Sequence, residues 1–435
     1  MKTKPANNPR FNIITFGCAK NTCDSELLMG YLGKNSMSVV HEQEIQKNDI
    51  VIVNTCGFIN DSKKESIDHI LELAEAKKNG DLRELVVVGC LSQRYMAELR
   101  KEIPEVDAFF GVNFIPEVLK KYNLDLKKNL LGERILTTAS HFAYLKISDG
   151  CNHLCSFCAI PLIKGKYKSE TIEKLVADTE ILVSQGVKEL ILIAQDTTYY
   201  GLDIYGTRKL ASLLENLTGI KGIEWIRLQY TYPADFPMEI LDIMNDHPNI
   251  CKYLDIPFQH ISDHMLKLMR RRITKEKTLQ LIEKIKNKIP GIALRTSLVV
   301  GHPGETKKDF DELLDFVKDS RFDRLGVFTY SHEENTNSYH LKDNVIAFVK
   351  KDRLNKIMEV QRGISLELNQ EKVNSIYKVI IDRKEGEYYV GRTEFDTPEV
   401  DNEVLIKSEE FLKTGEFYQV KITDAYEYDL LGIST

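Results

Sequence analysis

FAYLKISDGCNHLCSFCAIP, residues 142–161, is the most informative stretch of the sequence. It begins with an apolar run typical of a buried strand and leads directly into Cys151, Cys155 and Cys158, spaced CxxxCxxC. Thiolates this close together allow a single loop to wrap around one iron–sulfur cubane. Three ligands for four irons leave one iron open, and an open metal position is typical of a reactive centre.

The triplet has two alternative interpretations. One is a zinc site with His153 as fourth ligand, although zinc sites normally use paired CxxC units. The other is a disulfide, which is disfavoured because the first residues, MKTKPANNPRF, contain no apolar stretch of an export signal.

Residues 140–345 alternate β-rich runs with helical spacing. This pattern predicts a partial βα barrel of six units, fewer than the eight of a complete barrel. The amphipathic segment that follows, AFVKKDRLNKIMEVQRGISLELNQ, predicts a long helix, and short β runs after residue 370 predict a small all-β barrel. The six strand candidates are FAYLKIS, KELILIAQD, EWIRLQY, KYLDIPFQ, IALRTSLVVG and RLGVFTYS.

A second set of cysteines lies nearer the amino terminus. The β-rich runs FNIITFGC, DIVIVNTC and ELVVVGC end in Cys18, Cys56 and Cys90, and helical segments separate them. In an open parallel α/β sheet these cysteines would share one edge, which predicts a second cluster. The alternative is that they are small buried hydrophobes. Asp24 and Ser25 are candidates to cap the helix after Cys18.

Length and charge bound the architecture. A chain of 435 residues, 43% of them hydrophobic, should form two or three domains, and we expect limits at 10–125, 137–368 and 370–435, with the first boundary in NLDLKKNLLGERILTTAS. The net charge of −6 lacks the basic excess of a typical nucleic-acid binder. No apolar run reaches membrane-spanning length, so we expect a cytoplasmic protein.

The cysteine triplet and the partial barrel resemble the radical S-adenosylmethionine superfamily. The ordered motifs GCxKNxxDSE, NTCxFIxD, GCLxQRY and CNxxCSFCAIP, followed by a small terminal barrel, resemble the methylthiotransferase family over nearly the whole chain. The resemblance implies an amino-terminal cluster domain, a radical barrel and a TRAM domain. It also implies two 4Fe-4S clusters, one on Cys18, Cys56 and Cys90 and one on Cys151, Cys155 and Cys158, with S-adenosylmethionine as cosubstrate.

The superfamily resemblance also suggests cofactor contacts. Gln195 and Asp196 would lie near the amino end of S-adenosylmethionine. Gly301, Gly304 and Glu305 resemble the segment near the adenine, although they also fit a turn leading into a capped helix. Arg227 would either contact the cofactor carboxylate or pair with an acidic neighbour, and we favour the pair. The aromatic Phe157 before the third cysteine completes this set.

Two branches of the family must be separated. One modifies an adenosine beside the tRNA anticodon, and the other modifies the β-carbon of an aspartate in the twelfth small-subunit ribosomal protein. The pair Ala19-Lys20 and the runs QDTTYYG and DIPFQHISDHMLKLMRRR resemble the ribosomal branch. The resemblance implies that protein or the small ribosomal subunit as partner, together with an electron donor and a sulfur donor.

The charge of the terminal region also favours the ribosomal branch. Residues 371–435 contain fifteen Asp or Glu and eight Lys or Arg, a net of −7. Such a surface would repel phosphate and suit a basic protein. The alternative is that these acids only solvate a small domain.

A few positions depart from the pattern or stay open. Lys164 and Glu170 stand where relatives usually have arginine, and lysine cannot form a bidentate fork. Cys23 and Cys251 are interpreted as thiols that bind no cluster. The run RRR at 270–272 would either contact substrate or form a solvated helix end.

Overall fold

The computed structural model describes residues 9–125 and 134–435. Residues 1–8, on which the expectation of no export signal rests, and residues 126–133, part of the predicted linker, lie outside this description. Among the described residues, no helix combines the length and apolar character needed to cross a bilayer.

The amino-terminal sheet is parallel throughout and has the strand order β2-β1-β3-β4-β5. The three predicted strands are confirmed as β1, β3 and β4. The short edge strands β2 and β5 were not recognised, because so few residues carry little periodic signal. The strands are β1 (Arg10–Thr15), β2 (Ser38–His41), β3 (Ile50–Thr55), β4 (Glu84–Gly89) and β5 (Ala108–Phe109), and the helices are α1 (Ala19–Lys34), α2 (Asn60–Lys78), α3 (Cys90–Glu102) and α4 (Phe114–Lys121).

The central sheet has six parallel strands in the order β13-β12-β11-β10-β9-β6, which confirms the partial barrel. The hairpin pair β7 (Ser148–Asp149) and β8 (Lys168–Ser169) brackets the cysteine loop. The sheet strands are β6 (Phe142–Lys146), β9 (Glu189–Ile193), β10 (Trp225–Leu228), β11 (Ile250–Asp255), β12 (Ala293–Val300) and β13 (Arg324–Thr329). The helices are α5 (Ile160–Lys164), α6 (Ile172–Ser184), α7 (Leu202–Tyr205), α8 (Leu210–Thr218), α9 (Glu239–Asp246), α10 (Asp263–Leu268), α11 (Lys275–Lys288), α12 (Lys307–Ser320) and α13 (Ala347–Gln370), with 3-10 turns at Thr197–Tyr199 and Asn337–His340.

The terminal barrel is closed, with the strand order β14-β15-β16-β18-β17. This confirms the all-β prediction for the end of the chain. The run FYQVKITDAYEYDLLG forms two strands, because the chain turns after Ala425. The strands are β14 (Ile376–Glu385), β15 (Tyr388–Arg392), β16 (Glu403–Lys407), β17 (Phe417–Ala425) and β18 (Asp429–Ser434).

The two faces of the central sheet are covered differently. Ile226 of β10 points toward the surrounding helices and belongs to the main core. Its neighbour Trp225 points to the opposite face, as strand alternation requires, and packs with Ile380 of the terminal barrel. On the same face, Cys23 of α1 packs against Ile191 and its neighbours. The other two domains therefore fill the space that a six-stranded partial barrel leaves open.

A chain of buried ion pairs joins the terminal barrel to the central sheet. Glu189 lies 2.8 Å from Arg227 Nε and 2.8 Å from an Arg392 nitrogen. Arg392 also pairs with Asp382 at 2.7 Å, and Asp382 lies 2.7 Å from His141. Burial opposes ionisation of Glu189, but the charges of Arg392 and Arg227 outweigh it, so the pKa of this carboxyl lies below its usual value. The preferred prediction for Arg227, a pair with an acidic neighbour, is confirmed.

We expect Glu189→Gln to lower the free energy of unfolding by about 3–5 kcal/mol, because it leaves two buried guanidinium groups short of a negative charge. Urea denaturation followed by circular dichroism measures the loss. The matched control is Asp311→Asn, since Asp311 pairs with Lys307 on an exposed helix face and should matter by less than about 0.5 kcal/mol. Similar losses of unfolding free energy in both variants would show that the buried ion pairs of Glu189 do not stabilise the domain contact.

Candidate functional site

The first cysteine triplet lies at the carboxyl edge of the amino-terminal sheet. Cys18 follows β1 and immediately precedes α1, Cys56 follows β3, and Cys90 is the first residue of α3. Strands β1, β3 and β4 are adjacent, so the three loops meet as predicted. Because α1 and α3 both begin at these cysteines, the positive ends of two helices favour negative charge on the sulfurs.

Asn21 and two glycines draw these loops together. The Asn21 amide donates hydrogen bonds to the carbonyls of Phe16, at 2.8 Å, and Thr55, at 3.3 Å, and its Oδ1 lies 4.0 Å from Cys90 Sγ. A Cβ on Gly17 would lie 2.8 Å from Cys56 Cβ, and one on Gly57 would lie 2.6 Å from the backbone of α3. Only glycine permits such close approach, so the three thiols belong to one tightly packed site.

The second triplet lies in the loop after β6. Cys155 is buried, whereas Cys151 and Cys158 are partly exposed. Arg271 donates from Nη1 to Cys155 Sγ at 3.3 Å and stacks its guanidinium over the Tyr232 ring, 4.3 Å from the centroid. The Tyr232 hydroxyl lies 3.9 Å from the same sulfur. Arg271 is thus the buried member of the RRR run.

His153, the candidate fourth zinc ligand, contacts Asp196 and Tyr232. Its Nε2 lies 2.6 Å from Asp196 Oδ2, and its ring stacks on Tyr232 with centroids 3.7 Å apart. Within the two described ranges, no group of three His, Cys, Asp or Glu side chains is placed to hold a single metal ion. A cubane binds each thiolate through a different iron, so its cysteines lie farther apart than the ligands of one ion.

The two triplets lie close to each other. Cys90 packs in one apolar cluster with Ile163 and with Ala159, the residue that follows Cys158. Asp24 accepts hydrogen bonds from Lys146 and, at 3.3 Å, from Lys164. These contacts join the amino-terminal sheet to the central sheet beside both sets of cysteines.

The expectation that Asp24 and Ser25 cap the helix after Cys18 is wrong. The helix begins at Ala19, so both residues lie inside its first two turns. Asp24 forms the ion pairs described above. The Ser25 hydroxyl accepts hydrogen bonds from Thr15 Oγ1, at 2.8 Å, and from Asn54 Nδ2, at 3.0 Å.

The chemistry of the cysteines fits iron–sulfur clusters. Burial raises the pKa of Cys90 and of Cys158 to about 12, and that of Cys151 to about 11. Without a bound cation these thiols would therefore stay protonated at neutral pH. Metal binding displaces such protons, and all-sulfur donors select thiophilic metals. Two separate sets of three sulfur donors match two cubanes that each keep one open iron.

The residues predicted to contact S-adenosylmethionine lie at the same edge of the central sheet. Gln195 is half-buried after β9, and Phe157 packs beside Met265. Asp196 already accepts two hydrogen bonds from Thr198, at 2.6 and 2.8 Å, in addition to its contact with His153.

The segment after β12 forms a tight turn. Gly301 has φ +78°, and a Cβ there would lie 2.3 Å from the Lys350 side chain. Gly304 likewise has φ +89°. Glu305 accepts a hydrogen bond from the Gly301 N–H and lies 3.2 Å from Arg353. The turn then enters α12, so the alternative interpretation of this segment, a turn into a capped helix, describes its structure.

Helix α12 begins with a capping box. Thr306 and Asp309 cap each other's backbone N–H groups.

The other positions that the sequence singled out have structural contacts: Glu170 pairs with Lys174 at 2.9 Å, and Cys251 is buried against Trp225 and Tyr253. Cys23 is also buried and accepts a hydrogen bond from Arg134 at 3.2 Å.

Sequence reasoning missed the supporting side chains. Asn21 lies within the motif GCxKNxxDSE but was not singled out, and Tyr232 carries no motif signal by itself. Arg271 was hidden in a run of three arginines. The available signal was the spacing of the apolar residues Met269 and Ile273, two positions before and two positions after Arg271. All three are buried in the structure, whereas Arg270 and Arg272 are exposed.

Comparisons with known proteins agree with the domain order. The Radical SAM superfamily model matches residues 145–317, Uncharacterized protein family UPF0004 matches residues 10–111, and the TRAM domain matches residues 373–434. The chain shares its fold with the radical S-adenosylmethionine methyltransferase TsrM from Kitasatospora setae, with a TM-score of 0.55 and 13% identity over 85% of this chain and 80% of that one.

Full-length relatives are much more similar. The chain is 53% identical to "Ribosomal protein uS12 methylthiotransferase RimO" of Cytophaga hutchinsonii, over 99% of both chains. It is 54% identical to the protein of that name from Christiangramia forsetii, over 99% of this chain and 96% of the relative.

Iron counting tests the two triplets. We expect about eight irons per chain after anaerobic reconstitution, and about four in either Cys155→Ser or Cys90→Ser, because each change removes one cubane. The matched control is Cys251→Ala, which removes a buried thiol outside both triplets and should leave the count unchanged. Cys155→Ser should also abolish formation of 5′-deoxyadenosine. An unchanged iron count in Cys90→Ser would contradict the first site.

The contact between Arg271 and Cys155 gives a spectroscopic test. Hydrogen bonds to cluster sulfurs raise the reduction potential, so Arg271→Met should shift the midpoint of one cluster to a more negative value in a titration followed by electron paramagnetic resonance. Arg272→Met, at the exposed neighbour, is the control and should match the wild type. Identical midpoints in all three proteins would show that Arg271 does not tune the cluster.

Proposed function

The chain belongs to the family of RimO methylthiotransferases, and from this premise we propose that it attaches a methylthio group to the β-carbon of an aspartate in ribosomal protein uS12. The chain is a radical S-adenosylmethionine enzyme whose family uses two 4Fe-4S clusters. The observation that carries the proposal is the pair of cysteine triplets joined across one domain contact, in a chain 53% identical throughout to a uS12 methylthiotransferase.

We propose Cys18, Cys56 and Cys90 as ligands of the first cluster and Cys151, Cys155 and Cys158 as ligands of the second. We also propose that Phe157, Gln195, Asp196, Gly301, Gly304 and Glu305 line the S-adenosylmethionine site. Asp196 contributes there mainly by shaping its loop, because both of its carboxylate oxygens already have protein partners, whereas the buried Oε1 of Glu305 has no hydrogen-bond partner among the described residues. When bound, the clusters and S-adenosylmethionine supply an electron, a hydrogen-abstracting radical and the sulfur to be transferred.

The protein's own side chains fix the geometry for this chemistry. Arg271 orients Cys155, and the Tyr232 ring, which stacks with His153, packs against the Arg271 guanidinium. Asp24, held by Lys146 and Lys164, keeps the first triplet beside the second. Such a fixed arrangement lets a substrate carbon lie next to both centres in turn, which is the main requirement for a transfer between them.

The choice of a protein substrate rests on charge as well as on relatedness. Glu409 and Glu410 of the terminal barrel are exposed, Glu385 and Glu387 are exposed but pair with Arg383 and Lys407, and several of its other acids pair inward with arginines. A terminal region with a net charge of −7 suits a basic ribosomal protein and repels a tRNA backbone. The alternative, methylthiolation of a tRNA adenosine, is not favoured.

Further assignments belong to the same proposal. We propose the small ribosomal subunit, where uS12 resides, as the alternative form of the substrate, and hence the cytoplasm as the compartment. An electron donor and a sulfur donor must act with the enzyme. We also propose 10–125, 137–368 and 370–435 as the limits of the three domains.

Incubation of the reconstituted enzyme with uS12 or with tRNA tests the function. With S-adenosylmethionine, sulfide and a strong reductant, we expect the intact mass of uS12 to rise by one methylthio group in place of hydrogen, with fragmentation placing the group on an aspartate. Nucleoside analysis of the tRNA sample should show no methylthioadenosine. Cys155→Ser serves as the inactive control. Modified tRNA together with unmodified uS12 would overturn the proposal.

A further inference from the structure

Lys20 is a buried cation with no acidic partner within ion-pair distance among the described residues. Only 5% of the residue is exposed, and its Nζ lies 3.2 Å from the centroid of the Tyr230 ring. Seven lysines and arginines are buried among the described residues. The other six have a carboxylate, carbonyl or thiol acceptor, and Lys20 has only the face of this ring. The six are Arg227, Arg271, Arg324, Lys350, Arg353 and Arg392.

The position of Lys20 is unfavourable in two ways. It is the second residue of α1, where the helix dipole repels a cation. Burial of an ammonium group also costs free energy unless its three N–H donors are satisfied, and a ring face satisfies one side only. The folded protein therefore holds a mostly buried positive charge that a carboxylate could neutralise.

The ring over this ammonium is held in place by a strained backbone. Tyr230 has φ +58°, a left-handed conformation that a tyrosine seldom adopts. Its N–H donates to Asp255 Oδ2 at 3.0 Å, and its carbonyl accepts from the Thr197 N–H at 3.0 Å. Strain of this kind persists where neighbours enforce it, and it is frequent at ligand sites. Here it positions the ring, and through it the ammonium, at the carboxyl edge of the central sheet.

Lys20 thus reaches from the first triplet to the second domain. Its backbone lies two residues after Cys18, and its ammonium lies on the loop after β10, at the same edge as the cysteine loop after β6. A substrate aspartate whose β-carbon lies between the two centres at this edge would bring its carboxylate, one bond away, toward the ammonium of Lys20. A buried carboxylate needs a cation.

We propose that Lys20 binds the side-chain carboxylate of the substrate aspartate and so selects an acidic side chain over a neutral group. This inference rests on the proposed function and adds to it the residue that recognises the target. The nearby charged groups pair with one another, Asp24 and Asp149 with Lys146 and Lys164, so they leave the ammonium of Lys20 for the substrate.

The test compares reconstituted wild-type enzyme with Lys20→Met, which keeps the length of the side chain and removes the charge. Binding is measured by fluorescence anisotropy with uS12 and with a uS12 form carrying asparagine at the modified aspartate. The wild type should bind the aspartate form about 10-fold or more tightly, since a lost charge-assisted contact costs that much. Lys20→Met should bind both forms within about 2-fold of each other.

Three further measurements separate recognition from structure. Lys20→Met should melt at the wild-type temperature or above, because it removes an unpaired buried charge. Its iron content and electron paramagnetic resonance spectra should match the wild type, and its KM for uS12 should rise about 10-fold with less change in kcat. Lys284→Met, the same change at an exposed position of α11, should behave as wild type throughout.

Several outcomes would overturn the inference. These are a preference for aspartate that persists in Lys20→Met, a wild type without that preference, and loss of the first cluster in the variant, which would make Lys20 a counter-ion of the cluster. In each case the proposed function survives if wild-type enzyme still modifies uS12. If the wild type modifies tRNA and leaves uS12 unmodified, the function itself fails.

Discussion

The ion pairs of Asp24 with Lys146 and Lys164 fix how the two halves of the site face each other. Asp24 belongs to the helix that starts at the first triplet, and Lys164 ends the short helix that follows the second. Both lysines lie mostly inside the protein, and Asp149 shares them at 3.3–3.4 Å. A transfer reaction requires both centres to reach one substrate atom. The ion pairs of Asp24 therefore set the distance between the two cysteine triplets, on which the chemistry depends. Lys164 forms its contacts as a compact point charge, and this geometry does not require the fork of an arginine.

The sequence predicted the architecture well because the signals are local. Apolar runs followed by helical spacing identified β1, β3, β4 and all six strands of the central sheet, and cysteine spacing identified both triplets. What remained hidden depends on contacts between distant residues. Arg271 lies 116 positions from Cys155, and Arg227 lies 167 positions from its carbonyl partner in Glu394. The periodicity of one segment contains no information about such partners. The helix cap assigned to Asp24 and Ser25 failed for the opposite reason, since a local rule was applied where the polar groups serve a distant domain.

The terminal barrel has a structural role that its small size does not suggest. Its residues supply Arg392, Asp396 and Asp401, which pair with Glu189, Arg324 and Arg295 of the central sheet. Its apolar side chains also cover the sheet face that the helices leave open. Separating the two domains would expose several buried charges at once, so the barrel and the sheet should move as one body. The glutamates on its outer surface are therefore held at a fixed distance from the cysteine site.

Charge acts on the substrate at two ranges in this arrangement. The exposed glutamates act during approach, where their field attracts a basic protein and weakens with salt over a Debye length. The ammonium of Lys20 acts only on contact, at a mostly buried position where an opposite charge is worth more than in bulk water. A tRNA adenosine would be disfavoured at both stages, since its phosphates meet acids outside and its neutral base leaves the ammonium unpaired inside. An aspartate on a basic ribosomal protein is favoured at both stages, approach and contact. Its carboxylate offsets the unfavourable free energy of burying the charge of Lys20, which a neutral group cannot do.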